Sequence, residues 1–319
     1  MKPRRGLTVE KLREEANAME NLAHRHILKL VGTYTIRSHL FLLLYPAAIC
    51  DLSRFLEDID DIRSESCADR EDASKRLRAL GLRDIGTMGD LRTPRQHSTA
   101  IGFLQQILGC ITEAVAFVHK KDIRHRDLKP KNILLSPGRV YLADFGIARN
   151  VRDSENSITS GRCGTPSWIA PEVSEEYNHH MAPADVFSLG CIFLNVTTVM
   201  YGESLEIYEE VMKERDWTKK YELLPGYLRV LKKKAVNTGL LDEDEYGFDA
   251  KNVVGLVERM LRFKPDERPN IEEVNKSLLV LGGLDQLYHL SCCHKNNVSI
   301  TQVISVSYTF PPYPSPGPF

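Results

Sequence analysis

Apolar and polar positions alternate along the chain with periods that change from segment to segment. Between Thr8 and Ala23, Leu12, Ala16, Met19 and Leu22 recur at three- and four-residue steps among charged residues, which predicts an amphipathic helix. Thr8 is its candidate N-cap, with Lys11 at the position where a capping box would carry an acid. Two β-rich runs follow, Ile27 to Thr35 and Leu40 to Tyr45, separated by Arg37-Ser38-His39, and together they predict a hairpin. Helical periodicity is broadest from Ser98 to His119, where Ile101, Leu104, Ile107, Leu108, Ile111, Val115 and Val118 trace a wide apolar face. Short β-like pieces, Ile133 to Leu135 and Val140 to Leu142, flank the turn Ser136-Pro137-Gly138.

From Ala184 to about Leu281 the pattern is mainly helical, with one stripe of Val253, Leu256, Val257, Met260 and Leu261 and another of Ile271, Val274 and Leu278. The stretch from Glu57 to Gln96 is polar, acidic and then basic, and Gly81, Gly86, Gly89 and Pro94 interrupt it. It reads as a surface insertion with some helix and no chemistry. The segment Val298 to Phe310 is β-rich, and the Pro-rich end from Pro311 onward predicts extended chain.

Composition narrows the function classes. At 319 residues, 42% hydrophobic and 27% charged, the chain can bury a sizeable core. A net charge of -1 supplies no field to recruit nucleic acid or an anionic membrane. Seven cysteines, at 50, 67, 110, 163, 191, 292 and 293, show no C-x-x-C pairing and read as reduced thiols. The basic start Met1-Lys2-Pro3-Arg4-Arg5-Gly6 leads into charged helix rather than an apolar signal core, and no uninterrupted apolar run has the length of a membrane span. The expectation is a cytoplasmic or nuclear protein.

Chemistry concentrates in three strings in fixed order. His125-Arg126-Asp127-Leu128-Lys129-Pro130-Lys131-Asn132 lies between the long helix and the second strand pair. Asp144-Phe145-Gly146 begins 12 residues after Asn132, directly after a strand. Ala170-Pro171-Glu172 follows. Moving a phosphoryl group requires a cation-binding set of oxygens, a carboxylate aligned with the attacking hydroxyl and positive charge on the phosphate. These strings contain all three kinds of group.

On these motifs the chain resembles the eukaryotic-type serine/threonine protein kinases. The resemblance covers about Val9 to Leu281 and implies a two-lobed α+β fold with a small β-lobe and a mainly helical large lobe. It implies residues 1–48 as N-lobe and hinge, 49–281 as helical lobe with the 57–96 insertion, and 282–319 as a C-terminal extension. Asp127 would be the catalytic base, Lys129 the cation on the γ-phosphate, and Thr165 the hydroxyl tying these two together. Asn132 and Asp144 would hold Mg2+. Leu44, Tyr45, Ala47 and Leu134 would surround adenine, with Leu44 as gatekeeper and Tyr45-Pro46-Ala47 as hinge. Glu15 falls where the regulatory helix carries the glutamate that pairs with the ATP-binding lysine, and Met19 aligns with Leu30, Phe145 and His125 as an apolar column.

The resemblance further implies that Glu172 pairs with Arg268 and that Asp185 accepts hydrogen bonds from the catalytic-loop backbone. Phe187 stands where the family more often has Trp. Ser154, Ser157, Thr159 and Ser160 lie on the activation-type segment, Thr159 being the preferred phosphosite, with Arg126 as the counter-charge. ATP and Mg2+ as cofactors, protein substrates, and a regulatory kinase acting on the loop 146–165 are the implied partners. Upstream of Glu15 the sequence has neither a G-x-G-x-x-G loop nor a V-A-x-K strand, and Lys2 and Lys11 are the lysines there. A reduced small lobe is therefore expected, and a kinase-like scaffold is the alternative to an enzyme.

Overall fold

A computed structural model describes residues 16–17, 19–20, 22–36, 39–64, 69–86, 98–145, 149–150, 166–174, 181–237 and 250–293. Its core is built around two long helices, Ala100–Lys120 and Met181–Met200. The first starts where Thr99 accepts a hydrogen bond from the Gly102 amide at 3.1 Å, the expected service of a threonine N-cap. It is buried on nearly every side, from Ala100 through Val118. The apolar face read from the sequence was therefore narrower than the surface this helix buries, because neighbouring elements cover its small and polar residues too.

Both helices are, by length and composition, long and apolar enough to span a membrane, although polar residues interrupt each of them. However, 89% and 94% of their apolar windows lie buried inside the fold, as befits the core of a globular lobe.

The expected hairpin forms from Lys29–Ile36 and His39–Tyr45, antiparallel, with a register irregularity between Leu30 and Gly32. Tyr34 and Phe41, opposite each other, stack their rings 5.0 Å apart. Ahead of the hairpin, Ala16, Met19 and Leu22 are buried, as the helical stripe predicted; residues 1–15 lie outside the described region.

The second predicted strand pair forms Ile133–Ser136 and Arg139–Leu142, turned by Gly138 at φ 62, a backbone state that glycine adopts without steric cost. Cys50–Asp51 adds a third strand on Ile133–Ser136, and Ile27 bridges Leu142 in parallel.

Helices Leu52–Arg63 and Arg70–Ala79 correct the reading of 57–96 as surface. Glu57 lies in the middle of the first helix, and Ile59, Ala73, Leu77, Leu80 and Leu82 are buried. Asp58 is fully buried on this face, held by Nε and Nη2 of Arg76, each at 2.7 Å, and by Arg54 at 2.9 Å. A carboxylate can leave water at modest cost when cations meet it in this way.

The C-terminal extension expected from residue 282 begins inside a helix. Helix Ile271–Leu287, opened by a capping box of Asn270 and Glu273, runs across it. Leu287, Tyr288, His289 and Cys292 beyond it are buried.

Candidate active site

The loop from His125 to Asn132 leaves the short strand Ile123–Arg124 and ends in a 3-10 turn, Pro130–Asn132, whose first residue is proline. Leu128 is buried and anchors the loop, while Asp127 and Lys129 stay partly accessible. Lys129 Nζ donates to Asp127 Oδ2 at 2.5 Å. Asn132 Nδ2 donates to the Asp127 carbonyl at 2.8 Å and to its Oδ2 at 3.2 Å. Cation, carboxylate and amide thus form one cluster.

Asp185 holds this loop from below. Its carboxylate accepts from the His125 amide at 2.9 Å and the Arg126 amide at 2.8 Å. Arg126 has φ 67, in the left-handed region, and such residues cost about 1–3 kcal/mol unless their surroundings impose the conformation. Two backbone bonds to one buried carboxylate supply that constraint. Burial pushes the Asp185 pKa up, but the hydrogen bond and charge of His119, His125 and the loop amides prevail and leave it lowered. His119 Nε2 lies 2.8 Å from Asp185 Oδ2, a contact that sequence reasoning missed: the two are on separate helices 66 positions apart and no local pattern links them.

The strand Arg139–Leu142 delivers Asp144. The Ala143 amide donates to the Asn132 carbonyl at 2.9 Å, and His125 Nε2 bonds the Ala143 carbonyl at 3.0 Å. Both contacts bring the Asp144 backbone beside the loop. Asp144 itself has φ 69, which aspartate tolerates better than most residues. Phe145 is buried with its ring 5.0 Å from that of His125. Met19 is buried in the same core and Leu30 packs against it, so all four members of the expected apolar column lie in or on one core. Burial pushes the His125 pKa down despite the carboxylates of Asp185, Asp144 and Asp127.

At the expected adenine end, Leu44 pairs with Leu30 in the hairpin and packs on the core. Leu134 is half-buried between Asp51 and Tyr141 in the three-stranded sheet. Ser136 Oγ donates to the Ala47 carbonyl at 3.3 Å, tying the segment expected to be the hinge to that sheet. Tyr45 is 65% exposed. Glu15, Thr165 and the loop 146–165, with its candidate phosphosites, fall outside the described residues apart from Arg149 and Asn150.

The donor set suits a hard divalent cation. Asn132 commits its amide nitrogen to Asp127, and the amide oxygen of Asn132 and the carboxylate of Asp144 are oxygen donors of the kind such a cation prefers.

The expected pair of Glu172 and Arg268 forms, with two hydrogen bonds of 2.6 and 2.8 Å. The Arg268 guanidinium lies 4.9 Å from the Phe187 ring, so the aromatic that replaces Trp still receives a cation on its face.

The family profile described as protein kinase domain matches residues 2–280. The chain is 34% identical over 154 residues to the serine/threonine-protein kinase/endoribonuclease ire-1 of Caenorhabditis elegans, covering 40% of this chain and 15% of that protein. It is 30% identical over 187 residues to the serine/threonine-protein kinase fused of Drosophila melanogaster, covering 58% and 18% respectively. Serine/threonine-protein kinase PLK4 of Drosophila virilis is 24% identical over 272 residues, 83% of this chain and 26% of that protein. The matched region is thus a minor part of each of these relatives.

Proposed function

The chain belongs to the protein kinase family, and we propose that it transfers the γ-phosphoryl group of MgATP to serine or threonine hydroxyls of protein substrates inside the cell. The observation that carries this reading is the cluster of Asp127, Lys129 and Asn132 held on the Asp185 carboxylate. It joins a proton acceptor, a cation and an amide ligand on one rigid loop.

In this reading, Asp127 accepts a hydrogen bond from the substrate hydroxyl, aligns its oxygen with the γ-phosphorus, and takes its proton as the new O–P bond forms and the bond to the β-phosphate oxygen breaks. Lys129, within reach of the same carboxylate, offsets charge on the transferring group. Asn132 and Asp144 would hold the magnesium, which would supply positive charge to offset that of the phosphate oxygens. Leu44, Leu134 and the backbone around Tyr45 and Ala47 would receive adenine. Glu15 and Thr165 keep their expected roles, and a regulatory kinase acting on the loop 146–165 would supply a phosphate for Arg126 to meet.

Titration of the purified chain with ATP and Mg2+, followed by thermal melting and by phosphate transfer to a generic basic protein, tests the reading. Stabilisation with transfer to serine or threonine is expected. The absence of both stabilisation and transfer would overturn it in favour of a kinase-like scaffold.

A further inference from the structure

His26, Cys110, Cys292 and Cys293 come from three distant parts of the sequence, yet their donor atoms all lie within 4.8 Å of one another. Cys110 projects from the middle of the central helix, His26 precedes the hairpin, and the two vicinal cysteines sit on the short helix Leu290–Cys293. Cys110 Sγ is 3.4 Å from Cys293 Sγ and 3.8 Å from Cys292 Sγ, and those two sulfurs are 3.9 Å apart. A tetrahedron with zinc–sulfur bonds has sulfur–sulfur edges of about 3.8 Å. A disulfide requires about 2.05 Å. All three thiols are free.

The histidine is oriented as a ligand. His26 Nδ1 lies 2.9 Å from the Val140 carbonyl, which fixes its proton there and leaves the Nε2 lone pair facing the sulfurs, 3.1 Å from Cys293 Sγ. A ring nitrogen committed to a carbonyl while the other faces the donor cluster is the usual outer support of a metal-bound imidazole. The corresponding nitrogen–sulfur edge around zinc is about 3.6 Å. The sulfurs are supported as well: the His289 amide donates to Cys110 Sγ at 3.3 Å, and the Arg25 guanidinium donates to the Cys292 carbonyl, bringing a positive charge beside three potential thiolates.

We propose that His26, Cys110, Cys292 and Cys293 form a structural Cys3His site for Zn2+, separate from the phosphoryl-transfer site. Four donors close the tetrahedron, so the ion is a staple rather than a catalyst. Binding exchanges three thiol protons for one metal ion, and the Arg25 charge offsets the net negative charge that remains. The staple fastens the segment beyond Leu287 to the central helix and to His26, whose carbonyl accepts from the Leu142 amide at 2.7 Å, two residues before Asp144.

Elemental analysis of the reduced full chain, expressed with zinc in the medium, is expected to find about one zinc per chain. Replacing zinc by Co2+ should give the visible absorption of a tetrahedral site together with thiolate-to-metal charge transfer. Cys110→Ser and Cys293→Ser should lose stoichiometric metal, whereas Cys50→Ser should retain it. A metal-free chain without a cobalt spectrum, or metal content unchanged in Cys110→Ser, overturns the proposal. So does a disulfide from Cys110 to Cys292 or Cys293 in the freshly isolated chain. The cobalt spectrum of the unmutated chain decides the matter even if a variant fails to fold, and none of these readouts depends on ATP binding or phosphate transfer.

Discussion

Arg268 and Glu172, 96 positions apart, meet through two parallel hydrogen bonds with the arginine side chain fully buried. The same guanidinium also donates to the carbonyls of Arg262, Phe263 and Pro183, so Arg268 ties two further backbone segments to one carboxylate. Removing the carboxylate strands a buried cation. Glu172→Ala is expected to destabilise the fold by about 3–5 kcal/mol, read as a lower urea midpoint with unchanged slope. Arg268→Lys should recover little of the stability of the unmutated chain, because a lysine cannot reproduce the fork.

Asp127 and Asn132 share a hydrogen bond on a loop whose shape is set by Asp185 rather than by Asp127 itself. Asp127→Asn should therefore leave the fold and nucleotide-induced stabilisation intact while lowering the turnover rate by about 100- to 10,000-fold. Melting with MgATP alongside a phosphate-transfer assay separates the two effects. A variant that loses nucleotide stabilisation as well would contradict the division of labour.

His125 is buried, and burial holds its pKa below the ordinary 6.5. Between those two values the unfolded chain binds a proton that the folded chain refuses. The stability this group contributes is therefore complete above pH 6.5 and declines as pH falls below it, by up to about 1.4 kcal/mol per pH unit. Urea unfolding at about pH 7.5 and about pH 5.5 should show that decline, and His125→Phe should make the slope shallower over this range. Asp185, whose folded pKa is lowered, adds a further loss only in strong acid, below its ordinary 3.8.

Gly109 lies beside Cys110 where the chain returns from the last long helix. A Cβ there would collide with the Leu287 carbonyl oxygen and the Tyr288 ring. Backbone cannot yield as a flexible side chain does, so Gly109→Ala should cost about 1–3 kcal/mol. It should also speed proteolytic cleavage after Tyr288, detectable by mass spectrometry of the early fragments. An unchanged digestion pattern would mean that the segment is held elsewhere.

Elements with strong local periodicity were legible before any coordinates. The central helix, both hairpins and the stripe through Met19 and Leu22 appear within a few residues of their expected positions, because alternation and three-to-four spacing encode which face is buried. The burial of Leu77, Leu80 and Leu82 was not legible. These leucines stand among charges that suggest a surface, and only packing against the central core, with Arg76 reaching Asp58, draws them inside.

The strings from His125 to Asn132 and at Asp144 were legible in the sequence alone, since they place specific polar groups at short, fixed separations on one loop and one strand end. The partner of Asp185 at His119, and the convergence of His26, Cys110, Cys292 and Cys293, were decided only by tertiary structure. In the chain, up to 267 positions separate those last ligands, and no periodicity records a contact between segments that only the folded core brings together.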